Sequence, residues 1–560
     1  MQIVIPMSGF GERFRLAGYS VPKPLIEIEG KPLIAHVIDM FPGEKDFIFI
    51  CNQDHLANPD FCMKKIIKKY CPTGRIVGIG AHKLGPIHAI RQIEHLLKPN
   101  KPVLVNYCDF TCYWDWQHFK WFVRESFCAG VIPAYRGFHP HSLGNTNYAY
   151  IRESMGWVAD IKEKQPFTSN RIEEYASSGS YYFASAQLMS QAFLETIKQN
   201  LNVNGEYYVS LSYKALLANN QPVAVYPLQH FMQWGTPEDV AEYNYWSKVF
   251  KQLIELVNSE IRPKGTLIMP MAGFGKRFAN EGYALSKPLI PVSGMPMVVQ
   301  ATRDLPPAEE LVFVLRADMQ GNEEVAQELT RLYPRTLIKT IDHVTDGQAC
   351  TALIGLDALA DSLGDILPIP LTIGACDNGV LYDRIALESM LADTNVDVIV
   401  WGVRAYPNAL RHPNMYGWIK EENGLITGIS VKKPLDSPAS DPIVLGTFTF
   451  QRIEDFRRAI ARLIDRDGRI NGEFYIDSCI NEAIELGLKC YLFEVDSYLC
   501  WGTPNDLLTF EYWQSCFHKW NGHPYRLEDD FRINSIALNL LKDRYLATVP
   551  TLMKTEKKLK

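Results

Sequence analysis

At 560 residues, 47% hydrophobic and 21% charged, the chain is globular in composition and too long for one ordinary core, so two domains of somewhat over 250 residues are expected. A formal net charge of −6 gives little electrostatic support to a nucleic-acid partner. The twelve cysteines form neither a CxxC pair nor a zinc-site spacing, and no run approaches the roughly 18 apolar residues of a membrane span. With no leader pattern at the start, the expectation is a soluble cytoplasmic protein with reduced thiols and no membrane partner; a homo-oligomer stays open.

In chain order, "QIVIP" reads as a buried parallel strand and runs into "PMSGFGERF" at residues 6–14. "PKPLIEIEGKPLI" follows, then two more strand-like runs, "FIFICN" and "PVLVNYCD", the latter ending at Asp109. Asp115, six residues on, reads as a helix cap. "GFHPHSLGN" at residues 137–145 is a histidine-containing loop read as acceptor-facing, and "EKQPF" and "NGEYYVS" come next. "WGTPEDVAEYNYWSKVF" begins a helix, with Thr236 as N-cap, Pro237 in the first turn and Asp239 as capping-box partner.

After "NSEIRPKG" the phrases return in the same order at a nearly constant offset of roughly 264 residues. "TLIMP" leads to "PMAGFGKRF", then come "SKPLIPVSGMPMV", the strand "LVFVLRAD" and the helix "NEEVAQELTRLY". "IGACDN" carries Asp377, with Asp383 as the second cap; "RHPNMYGW", "NGEFYID" and "WGTPNDL" complete the copy, the last with Thr503, Pro504 and Asp506 repeating the helix start. Two copies of one α/β domain are therefore expected, at residues 1–258 and 265–524, with a linker at 259–264 and a C-terminal extension at 525–560. The terminal "KTEKKLK" reads as a solvated tail.

The repeated glycine phrase sits where ligands bind in open α/β sheets, at the carboxyl end of a strand. Glycines let backbone N–H groups close on phosphate oxygens, and an arginine supplies a bidentate fork. A GxG alone is weak evidence; a structural turn explains one equally well. The phrase is not a Walker A loop, because no Gly-Lys-Ser/Thr follows, nor the dinucleotide fingerprint, because the third glycine is missing. Lys23 and Lys287 stand before Pro-Leu-Ile at the same distance from the arginine in both copies. The following proline biases each toward extended backbone, and their duplication favours a role in the cleft over a solvated loop lysine. Asp109 and Asp377 end central strands, where a carboxylate caps a turn or holds Mg²⁺ against a bound phosphate.

Gly-x-Gly-x-Arg, Lys-Pro-Leu, a strand-ending aspartate and a later Lys-x-Pro or Lys-Pro segment resemble the sugar-phosphate nucleotidylyltransferase family across nearly all of both halves. "GYSVPKPLI" and "FMQWGTPED" resemble its bacterial capsule and surface-polysaccharide branch. The resemblance implies two tandem Rossmann-like (GT-A-like) domains, each a mainly parallel sheet flanked by helices. It also implies Mg²⁺-dependent transfer of a nucleoside monophosphate from an NTP to a sugar 1-phosphate, releasing pyrophosphate. It places Gly9, Gly11 and Arg13, with Gly273, Gly275 and Arg277, on the nucleotide phosphates. Lys23 and Lys287 go near the α-phosphate, and Asp109 and Asp377 on Mg²⁺. Lys164, and Lys432 or Lys433, go on the sugar phosphate. Gln348 goes on base or sugar, whereas the first copy reads "KLGPIHAI" without a glutamine. The family's second metal aspartate is replaced by Gln233 and Cys500; Glu206 and Glu473 are alternatives for metal or for a sugar hydroxyl. A cytidylyltransferase acting on a non-sugar phosphate and a half that only binds nucleotide remain rival readings. A glycosyltransferase is disfavoured by the missing Asp-x-Asp.

Overall fold

The structure, a computed structural model, describes residues 1–255, 262–364 and 367–546. Contacts divide the chain into two compact units. Unit 1 comprises Met1–Asn244 and Tyr512–Pro524 with Tyr545 and Leu546, and unit 2 comprises Tyr245–Glu511 and Tyr525–Arg544. Two of the four changes of unit fall within the long helices Pro237–Glu255 and Pro504–Lys519, so these cuts differ from boundaries placed where sequence pattern breaks. The expected linker lies outside the described residues up to residue 261, as does the terminal basic run.

In unit 1, Gln2–Met7 pairs in parallel with Phe47–Asn52 and Val103–Asn106, and Phe47–Asn52 pairs in parallel with Arg75–Ile79. Side chains alternate across such a strand, so Ile3 and Ile5 enter one apolar cluster and Val4 the other, all three fully buried. That is why the run carries no polar residue between its ends. In unit 2 Thr266–Pro270 takes the same place between Glu310–Arg316 and Leu371–Ile373, again in parallel. Beyond these strands both sheets become mixed. Ala149–Ser154 and Trp157–Glu163 are antiparallel, as are Gly417–Glu422 and Leu425–Val431. The expectation of mainly parallel sheets is therefore corrected: each of these pairs is joined by two residues at positive φ, Met155–Gly156 and Asn423–Gly424, a hairpin turn that only an antiparallel connection allows.

Each sheet places its glycine phrase at the carboxyl end of its central strand, and helices cover the faces. The helix starts expected from sequence are present. Thr236 and Asp239 exchange hydrogen bonds through backbone N–H groups, 2.9 Å and 3.2 Å, and Thr503 and Asp506 do so through side chain and backbone. Asp115 accepts from the His118 N–H, and Asp383 from those of Ile385 and Ala386, as the two anticipated caps. The described part of the C-terminal extension belongs mostly to unit 2, where Arg532 is buried against Asp530 and Asp304.

One close approach recurs in both units. Gly85 (φ +85°) lies against the Tyr207 backbone, and Gly347 (φ +129°) against that of Phe474; an added Cβ would meet a backbone nitrogen at 2.7 Å and 2.6 Å. Backbone bonds from Tyr207 N–H to Leu84 and from Ile87 N–H to Tyr207 use the approach, as do those from Phe474 N–H to Asp346 and from Ala349 N–H to Phe474. They pin the Asn-Gly-Glu segment against the start of a helix. Gly85→Ala is expected to cost about 2–4 kcal/mol, from backbone overlap plus a left-handed φ, measured as a lowered first transition in thermal or denaturant unfolding of the full chain.

Candidate active site

In unit 1 the strand Gln2–Met7 ends and the chain turns through Gly9 and Gly11 into a short helix, Glu12–Leu16. Gly11 adopts φ +61°, the left-handed region that disfavours other residues. Gly9 is different: its Cβ position is open space, nothing lies within 4 Å and its φ is not left-handed. Packing therefore gives no reason for a glycine there, whereas close approach of a ligand to the backbone does.

Lys23 begins a 3₁₀ turn, Lys23–Leu25, with Pro24 inside it; the extended residue is Pro22. This corrects the expectation of an extended lysine. Pro24 has no N–H to satisfy and fits the first turn, where Leu25 N–H bonds to Pro22 instead. The Lys23 ammonium donates to Asp109 Oδ2 at 2.7 Å and to the Gly235 carbonyl at 3.0 Å. Asp109 and Gly235 are neighbours because Phe110–Tyr113 pairs with His230–Gln233, which brings the Trp234 N–H to the Asp109 carbonyl at 2.7 Å. A cavity of about 440 Å³ opens on this pair, lined among others by Gly9, Gly11, Lys23, Asp109, Glu206 and Tyr208. Arg13 is exposed and does not line the cavity, but its charge reaches Tyr208 on the wall. Lys164 (φ +56°) donates to the Tyr208 hydroxyl at 2.6 Å, and that hydroxyl donates to Glu206 at 2.7 Å.

Unit 2 repeats the geometry. Gly275 is at φ +61°, the Gly273 Cβ position is empty, and Lys287 begins a 3₁₀ turn and pairs with Asp377. Asn378–Leu381 pairs with Ser497–Cys500, bringing the Trp501 N–H to the Asp377 carbonyl at 2.9 Å. Burial opposes both charges of that pair, yet each holds the other ionised: Lys287 is raised and Asp377 lowered from their ordinary values. Of the two lysine candidates, Lys432 matches Lys164. It has φ +58°, its N–H bonds to Tyr416 as that of Lys164 does to Tyr148, and its ammonium faces the Tyr475 ring. Lys433 is exposed. Arg277 is exposed too, and its charge acts on Asp377, Lys432 and Tyr475. Among the described residues neither Arg13 nor Arg277 forms an ion pair. Glu473 faces the Tyr475 hydroxyl. Gln348 is the first residue of the helix Gln348–Leu363, and Pro86, a wall residue of the unit 1 cavity, holds the same place after Gly85.

Sequence reading missed the tyrosines Tyr208 and Tyr475, although "EYY" and "EFY" carry the signal in both copies. It also missed His82 and Lys83 on the unit 1 wall, Lys83 standing 3.7 Å from Glu12. A further carboxyl behind each lysine comes from a different element in each unit. In unit 1 it is Glu163, accepting from Ser210 and raised by burial to about 7. In unit 2 the register position of Glu163 is Val431, and Asp477, at the place of Ser210 in the repeat, is raised by burial to about 6 beside Lys432. Gly417 makes room: a Cβ there would come 2.3 Å from Asp477, and unit 1 has Ala149 instead. The two residues standing for a second metal aspartate are engaged otherwise. Gln233 donates to Asp239 at 2.6 Å, and burial holds the Cys500 thiol protonated. The histidine loop is partly core: His139 is buried against Tyr135 and Tyr512, and burial lowers it to about 3.

No family model matches the chain. Over 217 residues, 38% of its length, it is 29% identical to the bifunctional protein GlmU of Burkholderia lata, of which it spans 43%. Over 179 residues, 31% of its length, it is 28% identical to mannose-1-phosphate guanyltransferase 2 of Candida glabrata, of which it spans 48%. The chain thus spans less than half the length of these curated relatives. The nucleoside-diphosphate-sugar pyrophosphorylase of Vibrio cholerae RC9 matches 44% of this chain and 98% of its own, at 21% identity and a TM-score of 0.36.

Because the folded pKa of Glu163 lies above its ordinary 4.5, the folded chain holds this proton more tightly than the unfolded chain. Stability from this residue is fully present below about pH 4.5 and falls as pH rises to about 7. Glu163→Gln is expected to remove up to about 3 kcal/mol of that decline, read as the difference between wild-type and variant stability–pH curves. Gly9→Ala is expected to change stability by less than about 0.5 kcal/mol, because its Cβ would enter open space, measured by denaturant unfolding.

Proposed function

We propose that each unit transfers a nucleoside monophosphate from an NTP to a sugar 1-phosphate, giving an NDP-sugar and pyrophosphate, in the synthesis of a surface polysaccharide. The carrying observation is the cavity in which a side-chain-free glycine turn meets the Lys23–Asp109 pair. The similarity to a mannose-1-phosphate guanyltransferase supports the same reaction class. Among the described residues no helix is long and apolar enough to cross a membrane.

The reaction needs no protein nucleophile. An oxygen of the sugar phosphate, already an anion, attacks the α-phosphorus; the bond to the bridging oxygen breaks and its electron pair leaves with pyrophosphate. The protein's work is to hold two polyanions in line and to offset their charge. In this reading the N–H groups around Gly9 and Gly11 take the nucleotide phosphates, with Arg13 swinging in from the mouth. Lys23 turns from Asp109 toward the α-phosphate, and Lys164, aligned by Tyr208, holds the sugar phosphate. Glu206 receives a sugar hydroxyl.

The carboxylate at the cavity wall fits Mg²⁺, which is commonly held by one or two protein carboxylates with phosphate and water oxygens. Asp109 would hold it in unit 1 and Asp377 in unit 2. Among the described residues no group of three His, Cys, Asp or Glu side chains gathers around a metal position, so the phosphates would complete the shell. When bound, the ion supplies further neutralisation of phosphate charge.

With unit 2 disabled by Lys287→Ala, Lys23→Ala or Asp109→Ala is expected to lower pyrophosphate release at least about a hundredfold, across a screen of four NTPs and sugar 1-phosphates. Undiminished release in either double variant would refute the assignment. Release lost in Lys23→Ala alone, with Lys287 intact, would refute independent turnover by unit 2.

A further inference from the structure

A second cavity, of about 320 Å³, lies wholly in unit 2 at Thr266 and Leu267, the opposite end of the strand Thr266–Pro270 from Gly273. Its interior is apolar, with Leu267, Tyr382, Leu387 and Leu391, and it carries the hydroxyls of Thr372 and Thr449, 3.0 Å apart. Among the described residues its charged lining is Arg262, Lys264 and Arg384 with one acid, Glu388.

Unit 1 has the same elements here and fills the space. Leu104 faces Ile3 and Tyr182 as Thr372 faces Leu267 and Thr449, so the two threonines replace a leucine and a tyrosine. Behind the matching caps Asp115 and Asp383, Trp116 gives way to Arg384, Phe119 to Leu387 and Lys120 to Glu388. In unit 1 the Trp116 ring lies 5.1 Å from Phe41 and 5.5 Å from Phe119, and Phe119 lies 6.2 Å from Tyr182. Glu44 closes this cluster by accepting from Trp116 Nε1 at 3.2 Å and from Lys120 at 3.1 Å. Its counterpart in the repeat is Ala308, which closes nothing and lines the cavity. Large-to-small changes at a packed site would ordinarily be selected against, since the emptied volume weakens the core. Here several occur together and one of them brings in a guanidinium, while Trp401, at the register place of Pro133, takes back part of the volume with its Nε1 donating to the Thr449 hydroxyl at 3.2 Å.

We propose that this cavity binds a small organic acid with an aromatic or branched aliphatic body, the body against Leu387 and Tyr382 and the acid group at Arg384 and Lys264. The volume suits a body of one or two rings, and a cationic rim over an apolar floor selects an anion with an apolar tail. The site uses none of the residues assigned to nucleotide transfer, so its failure and the failure of that assignment are separable.

The test is calorimetric titration of the full chain with indole-3-acetate, phenylacetate and 4-methylpentanoate, beside their neutral amides. At least one acid is expected to bind once per chain, about tenfold more tightly than its amide. Thr372→Leu with Leu387→Phe, which brings the larger unit 1 side chains of Leu104 and Phe119 into the cavity, is expected to abolish binding while the unfolding transitions are retained. Arg384→Gln is expected to bring the acid down to the affinity of its amide, and it decides the matter by itself if the refilled variant does not fold. Binding of none of the acids, equal binding of acid and amide, or an unchanged affinity in a folded refilled variant or in Arg384→Gln would each overturn the proposal.

Discussion

The Lys23–Asp109 pair, with its twin Lys287–Asp377, is the contact around which each unit is arranged. One ammonium holds three segments distant in sequence: the turn after the glycine phrase, the end of a central strand and the Trp-Gly turn whose carbonyl it also meets. A part-buried carboxylate left without its partner is costly, and so is the lysine. The pair therefore specifies where these segments come together more than it adds to net stability. In unit 1 it also keeps a cation and an anion facing one cavity.

The repetition of backbone is closer than the repetition of side chains. Positive-φ lysines, positive-φ glycines pressed against the Asn-Gly-Glu segment and 3₁₀ turns begun by Lys23 and Lys287 recur in both units. The side chains that would distinguish one substrate from another do not. Pro86 stands for Gln348, and a carboxyl behind Lys164 and Lys432 comes from a strand in unit 1 and from a helix start in unit 2. The second of these exchanges is compensated within each unit, since Gly417 vacates the volume that Asp477 takes up. Such paired changes keep one buried acid near one lysine in both units while changing the element that carries it.

The opposite end of the central strands differs more between the units, in side chains that pack in unit 1. There Trp116, Phe119 and Tyr182 belong to a filled core, and in unit 2 the counterpart positions Arg384, Leu387 and Thr449 line a cavity. The glycine turn and the cavity occupy the two ends of the same short strand, Thr266–Pro270.

The sequence by itself determined the tandem copy, the parallel strands at the heart of each sheet, the capping residues and the glycine, lysine and aspartate of each site. These features are local: a buried strand needs an unbroken apolar run, a cap needs a hydroxyl or carboxylate at one place, and the repeat printed each of them twice. Only the tertiary structure decided what depends on residues far apart in the chain. It made the rest of each sheet mixed, with an antiparallel hairpin in each closed by a two-residue turn, and Met155–Gly156 gives little sign of its turn beyond one glycine. It chose Lys432 over Lys433, because a left-handed residue with its N–H on Tyr416 faces the site and its neighbour does not. It brought Glu163 and Asp477 to comparable places behind their lysines, a meeting no alignment of the two halves displays because the carboxyl changes element. Side-chain position in space is set by strand register and by which small residue opposes it, and neither is written at the position itself.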